Sequence, residues 1–339
     1  MDHEYQKQIQ NIAKGLGLGG KSSEEGIIAH CADQVNSLLQ EIQVTPKTIS
    51  QLLDVVAAKL GLGIKEIHSQ NDIIALMRDF PPKKEPVMAT ISLELDEDTH
   101  AVVLHRSNRE GWEQPYLAII NCLGDHARRR YFSKWHEVVH LLLEGPQMTF
   151  AFRRTKTSER QQPLERLVDR VAAHLAFYPS IFQPVLEDEI RAAGRLTFEG
   201  INRVRARLAP EASRQATTMA CIHQSTHPVT YIRFAMGLKK AEQDMLNQPT
   251  LFPGTATQPE PKLRVKECVA SPSAKNIRLE MFPNMSLSDS STVSKVHVTG
   301  GDLTIEEDFS SWHDGLPSIH ARVEVEKRDS AIHCLIQKA

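Results

Sequence analysis

The segment His136-Glu137-Val138-Val139-His140 has the residue types and spacing to do chemistry. Residues four apart on a helix differ by about 40° around its axis, so both imidazoles project from one face. Two neutral imidazoles suit Zn²⁺, a borderline-soft ion with a tetrahedral preference. Glu137 lies beside the pair and can reach a water at the metal without being a ligand. There it would act as general base and then pass the proton to a leaving amine. A catalytic zinc needs a third protein ligand and an open position. The downstream candidates are Glu165, Asp169 and His174, all on a helix expected to start near Pro163. Glu165 and Asp169, four apart, share a face. Glu165 is therefore read as the third ligand. Asp169 is read as the carboxylate that accepts from a zinc-binding imidazole and fixes its tautomer. His174 lies about 180° away from Glu165 and is expected to pack elsewhere.

The residues around this pentad extend the pattern. Arg129-Arg130-Tyr131-Phe132-Ser133-Lys134-Trp135-His136-Glu137-Val138-Val139-His140-Leu141-Leu142 resembles the core motif of ImmA/IrrE-type zinc metallopeptidases. That motif has an arginine-rich approach, an aromatic residue, then HExxH followed by leucines. A second block resembles the family's E-x-x-A-[ND]-x-F-A-x-x-L-L-x-P stretch. Here it runs through Glu165, Val168, Asp169, Val171, Ala172, Ala173, His174 and Leu175 and closes at Pro179. The resemblance covers roughly residues 25–240 and is specific only in these two blocks. Trp135, Val139, Val168 and Val171 depart from the usual Ala, Gly, Ala and Phe, which bears on pocket shape and substrate choice.

The resemblance implies a gluzincin-like, minimal zincin-like domain, a small twisted sheet beside the HExxH helix. It implies Zn²⁺ on His136, His140 and Glu165, with Glu137 as the catalytic residue. It also implies a zinc-dependent endopeptidase acting on a protein substrate, often a helix-turn-helix repressor, in stress-response or mobile-element regulation. A second reading is a non-proteolytic regulatory protein that uses the zinc fold to recognise a transcription factor. Retention of Glu137 between the two histidines favours hydrolysis over it. A third reading, direct DNA binding by helices over 196–236, draws on Arg203, Arg205, Arg207 and Arg214. A solvated helix face is the simpler account of those arginines.

The rest of the chain must position these groups. A length of 339 residues suggests about two domains. Apolar residues make up 41% and charged residues 24%, a globular composition. The net charge of −2 gives no global case for nucleic-acid or membrane-surface binding. The apolar runs Leu117 to Ile120 and Leu141 to Leu143 fall far short of the ~20 residues that span a bilayer. The first residues are polar and acidic, without a signal-peptide core. Five scattered cysteines and no CxxC pair read as reduced cytoplasmic thiols. Cys122 reads as a buried strand thiol, with a redox or metal-switch role as the alternative.

The fold class expected is α+β. Ile27, Ala32, Val35, Leu38, Leu39 and Ile42 mark one amphipathic helix. A second is expected to start near Thr45-Pro46 and stop at Gly61 or Gly63. A short strand is expected over 63–67. A hairpin follows, from Met88 to Leu95 and Ala101 to His105 about the turn Asp96-Glu97-Asp98, and then a strand from Pro115 to Cys122. Asp125 is expected to cap a helix. From about Arg128 a helix sets Tyr131, Phe132, Trp135, Val138, Val139, Leu142 and Leu143 on one broad face and stops at Gly145-Pro146. Residues 185–240 read as all-helical, with Thr197 as a cap. The domains expected are a zinc metallopeptidase-like domain over 1–190 and a helical, helix-turn-helix-like segment over 191–246. A linker over 247–275 and a small β-rich region over 276–339 follow, the last including a strand through Val293, Val296 and Val298. Tyr178 and the nearby arginines are candidate oxyanion donors. His126 and Arg128 to Arg130 read as helix-surface charge.

Overall fold

The structure is a computed structural model, and it describes residues 3–19, 23–83, 85–96, 98–106, 109–111, 113–144, 152–155, 163–247, 259–289, 291–328 and 330–339. It is an α+β protein with two sheets among the described residues. The chain divides into two compact units, one of residues 1–182 and 207–213, the other of residues 183–206 and 214–339.

In the first unit, α1 (His3–Gly15), α2 (Glu24–Ile42) and α3 (Ile49–Lys59) lead into β1 (Leu62–Ile67). Ser23 caps α2 and Thr48 caps α3, each side-chain oxygen accepting an orphan backbone N–H. The cap of α3 thus falls three residues beyond the expected Thr45. Gly61 turns the chain into β1 at φ +72, and a Cβ there would stand 2.8 Å from Pro115 Cδ, so only glycine fits. Next come α4 (Gln70–Asp79), a 3₁₀ turn (Pro86–Ala89), the single-turn α5 (Ile91–Glu94), β2 (Thr99–His105) and β3 (Tyr116–Asn121). The strand order is β1-β3-β2-β4, with β4 at Phe152–Thr155. β1 runs parallel to β3; β2 is antiparallel to both β3 and β4. Every residue of β3 is buried, which is why it reads as a continuous apolar run and not as an alternation.

The hairpin expected over 88–105 does not form. Met88, Ile91 and Leu95 are buried at spacings of three and four, a helical period, and they pack with Val102, Leu104, Leu117 and Ile119 on one face of the sheet. β2 pairs with β3 instead. Glu97 of the expected turn, and the expected stop at Gly145-Pro146, lie outside the described residues.

The other face of the sheet meets α6 (Arg130–Glu144), which contacts β1, β2 and β3. A 3₁₀ helix (Gly124–Arg129) precedes it, and its cap position is Leu123, not the expected Asp125. α6 is buried on all sides from Ser133 to Leu142, not on one face. It packs on α7 (Pro163–Leu175), which α1 and α2 also contact. α8 (Pro179–Ala193) and α9 (Phe198–Leu208) each contain a boundary between the two units. Thr197 Oγ1 accepts from Gly200 N at 2.9 Å, the cap expected for α9.

The second unit holds α10 (Arg214–Gln224), β5 (Val229–Gly237), α11 (Lys240–Asn247), β6 (Lys262–Ala270), α12 (Pro272–Asn276), α13 (Thr292–Thr299), β7 (Leu303–Asp308), β8 (His320–Arg328) and β9 (Ala331–Lys338). The sheet order is β6-β5-β9-β8-β7, antiparallel throughout. Its core gathers Ile232, Phe234, Val265, Trp312, Val323 and Ile336, with Val293 and Val296 of α13 packed against them.

Three expectations over this stretch are corrected. Residues 229–237 form a strand within the span expected to be helical, because Val229 to Ile232 and Phe234 are β-branched or aromatic. The expected linker holds β6, whose apolar Leu263 and Val265 enter the core; its residues 248–258 lie outside those described. Val293 and Val296 bury one face of a helix capped by Ser291, not a strand. The residues expected as a separate small β region therefore share one sheet with 229–270.

Candidate metal centre

α6 brings His136 and His140 to one face, and α7 supplies Glu165 from its first turn. All three are buried, at 0%, 2% and 4% exposure. A solvated helix face bearing two surface histidines is thereby ruled out. His136 Nε2 lies 3.1 Å from Glu165 Oε2 and 3.1 Å from His140 Nε2, and His140 Nε2 lies 3.5 Å from Glu165 Oε1. Ligands about 2.0–2.2 Å from a tetrahedral ion stand roughly 3.3–3.6 Å apart. The contacts fall within a few tenths of an ångström of these edges, with His136 and His140 each meeting a different oxygen of Glu165.

The proton inventory also fits a cation. Asp169 Oδ1 lies 2.8 Å from His136 Nδ1. An ionised carboxylate only accepts, so Nδ1 of His136 carries the hydrogen and donates it. In the neutral ring Nε2 is then a lone pair, and it faces the Glu165 carboxylate. Acceptors converging in a buried space need a positive charge between them. Burial pushes the Glu165 carboxyl up, but the adjacent His136 and His140 rings outweigh it and hold the group well below the usual carboxylate range. The group is an anion poised for a cation.

Glu137 is 2% exposed, and its Oε1 is buried without a hydrogen-bond partner among the described residues. An orphaned buried carboxylate oxygen is costly, and beside a metal-ligand pair a water is its natural partner. The structure therefore brings together His136, His140 and Glu165, sets Asp169 behind His136, and leaves Glu137 an unused oxygen. His174 lies outside the ligand group; burial pulls its imidazole down.

The other candidates have different partners. The Tyr178 hydroxyl sits 2.7 Å from Asn36 Oδ1 and 3.2 Å from the Ala32 carbonyl oxygen, so α2 engages it. Arg129 Nη1 donates to His100 Nε2 at 3.0 Å, and His100 Nδ1 lies 3.0 Å from His126 Nδ1. Arg203 pairs with Glu189 and Glu199; Arg214 pairs with Glu326 and lies over the Phe198 ring.

Sequence reasoning missed how α6 is anchored. Lys134, two residues before His136, is buried and bridges Glu66 of β1 and Glu211, the latter at 2.8 Å. Burial pulls the ammonium down, but its bonds to Glu211 and Glu66 prevail and raise its pKa. Glu66, His68 and Cys122 form a second group of close ligand-type atoms. The i, i+2 spacing of Glu66 and His68 at a strand end was the available signal. No family model and no curated protein matches the chain.

Proposed function

We propose that His136, His140 and Glu165 hold a zinc ion and that the protein is an endopeptidase acting on a protein substrate. The observation that carries this reading is a pairing. Three buried donors stand close to tetrahedral edge lengths, and beside them a second buried carboxylate, Glu137, has an oxygen without a hydrogen-bond partner among the described residues. A zinc ion with three protein ligands supplies Lewis acidity toward a carbonyl and toward water.

The chain's own residues do the rest. Asp169 accepts the His136 Nδ1 hydrogen, which orients the ring and directs its Nε2 lone pair inward. Glu137 Oε1 takes a proton from water and returns it to the departing amine nitrogen. The ion pairs of Lys134 hold α6 against β1, fixing the helix that carries three of these groups.

The motif resemblance to ImmA/IrrE-type metallopeptidases extends the proposal. It points to a zincin-like arrangement of α6 against the four-stranded sheet and to a helix-turn-helix repressor as substrate. Regulation of stress-response or mobile-element genes follows from that substrate. The five cysteines are all unpaired, which fits action in a reducing cytoplasm.

Glu137→Gln tests the reading. Co-expressed with a candidate repressor, the wild-type chain is expected to yield two fragments by mass spectrometry. The variant keeps its zinc and yields none. Cleavage at the wild-type rate by the variant would remove the mechanism. Repressor inactivation in cells that survives Glu137→Gln would favour the non-proteolytic binding reading.

A further inference from the structure

A second cluster of ligand-type side chains sits at the end of the β1–β3 pair. These strands are parallel, with Glu66 opposite Ile120 and Ile67 opposite Asn121. The register carried one step further sets His68 beside Cys122, and Cys122 N donates to the Ile67 carbonyl at 2.9 Å. Side chains alternate along a strand, so Glu66 and His68 share a face. Paired residues of neighbouring strands point the same way, which adds Cys122 to that face. The result is measurable. Glu66 Oε2 lies 2.9 Å from His68 Nε2 and 4.0 Å from Cys122 Sγ, and all three donor atoms lie within 4.8 Å of one another.

We propose that Glu66, His68 and Cys122 form a second divalent-metal site, selective for a thiophilic ion of the Zn²⁺ and Cd²⁺ class. One carboxylate, one imidazole and one thiolate are a ligand set suited to such an ion and poorly suited to Mg²⁺ or Ca²⁺, which take oxygen ligands. Ligands about 2.0–2.3 Å from a tetrahedral ion stand roughly 3.3–3.8 Å apart, so the present separations need to change by only about an ångström. Small side-chain rotations supply that.

The Glu66 carboxylate divides its work. Oε1 accepts from Lys134, and Oε2 faces His68 and Cys122. His68, with its side chain 49% exposed, gives an ion a route in from solvent, while Cys122 is buried behind it. Binding forms a sulfur–metal bond, and the thiol proton leaves to solvent. The positive charges of Lys134 and Arg130 act on Glu66 and Cys122 and temper the affinity. The fourth position falls to water or an added anion. This site shares no residue with His136, His140 and Glu165, so it stands or falls independently of the peptidase reading.

The test uses a signal that the first centre, which has no sulfur, cannot give. The full-length protein is stripped of metal and titrated with Cd²⁺, and the ultraviolet charge-transfer band of a cadmium–thiolate bond is followed. The expected band saturates at one thiolate per chain, persists in His140→Ala and disappears in Cys122→Ser. His68→Ala, a change at a half-exposed side chain, is expected to shift the midpoint by more than about tenfold. No band at saturation would overturn the proposal. So would a band that Cys122→Ser leaves intact, or a midpoint that His68→Ala does not move. The His68 variant decides the matter if Cys122→Ser fails to fold.

Discussion

Removing the Asp169 carboxylate is expected to weaken zinc binding without touching a ligand. Asp169 Oδ1 accepts from His136 Nδ1 at 2.8 Å, and this contact fixes which ring nitrogen faces Glu165 and His140. Loss of such a partner typically costs about 10- to 100-fold in metal affinity, or about 1.4–2.7 kcal/mol. The Asp169 side chain is 40% exposed, so water screens part of its charge. That places Asp169→Ala at the lower end, about tenfold. Asp169→Asn keeps an oxygen that can accept the Nδ1 hydrogen and loses only the charge. Charge-assisted hydrogen bonds are roughly twice as strong as neutral ones, so Asn should cost about threefold. Competition with a chromophoric zinc chelator at neutral pH measures both. Circular dichroism and thermal melts of the metal-free variants check that the fold is unchanged. If Asp169→Ala binds zinc within twofold of wild type, the tautomer argument for this centre is wrong. If Asn is worse than Ala, the ordering of charge and acceptor is wrong.

Three further outcomes are expected. Glu137→Gln should retain stoichiometric zinc while peptide hydrolysis falls by about 10²–10⁴, the range for loss of a general base; zinc analysis beside a fragment assay reads both. Trp135→Ala, at a fully buried position of α6, should cost about 3–5 kcal/mol in urea denaturation, because a cavity opens inside the first unit. Glu324 is half-buried in the second unit; desolvation raises its pKa despite the hydrogen bond it accepts from Phe198 N. A raised folded-state value means the protein loses stability as pH rises from about 4.3 through that value, since the folded state holds its proton longer. Glu324→Gln cannot lose a proton there and keeps an acceptor for Phe198 N. It should therefore melt above wild type at pH 7 and level with it near pH 4. A variant less stable at pH 7 would contradict the sign.

The site was more legible in the sequence than the fold around it. His136 and His140 needed only the helical repeat, and Glu165 with Asp169 needed only a second helix with the same repeat. Burial was harder to foresee. α6 is enclosed on every side, including polar Ser133 and Lys134, because Lys134 finds Glu66 and Glu211. Those partners are distant in sequence and leave no local trace. Short elements were misread where two periods compete. Ile91, Leu93 and Leu95 alternate with Ser92 and Glu94 as a strand would, while Met88, Ile91 and Leu95 follow a helical period, and tertiary packing decided for the helix. The stretch through Val293, Val296 and Val298 carries the same ambiguity, with a strand spacing from 296 to 298 and a helical one from 293 to 296. The strand at Val229–Gly237 did carry a local signal, the run Val229-Thr230-Tyr231-Ile232, which the helical neighbours on its N-terminal side overshadowed. β6 was hidden by the polar and proline-rich composition around it. Its pairing with β5 supplies what its own sequence does not.

Anomalous diffraction at the zinc absorption edge tests the central claim most directly. Crystals of the zinc-loaded full-length protein should show a strong peak about 2.0–2.2 Å from His136 Nε2, His140 Nε2 and a Glu165 carboxylate oxygen. The Glu137 carboxylate should stand beside the peak and outside its ligand set. A fully loaded crystal with no peak among these three residues, or with Glu137 itself bound to the ion, would contradict the account.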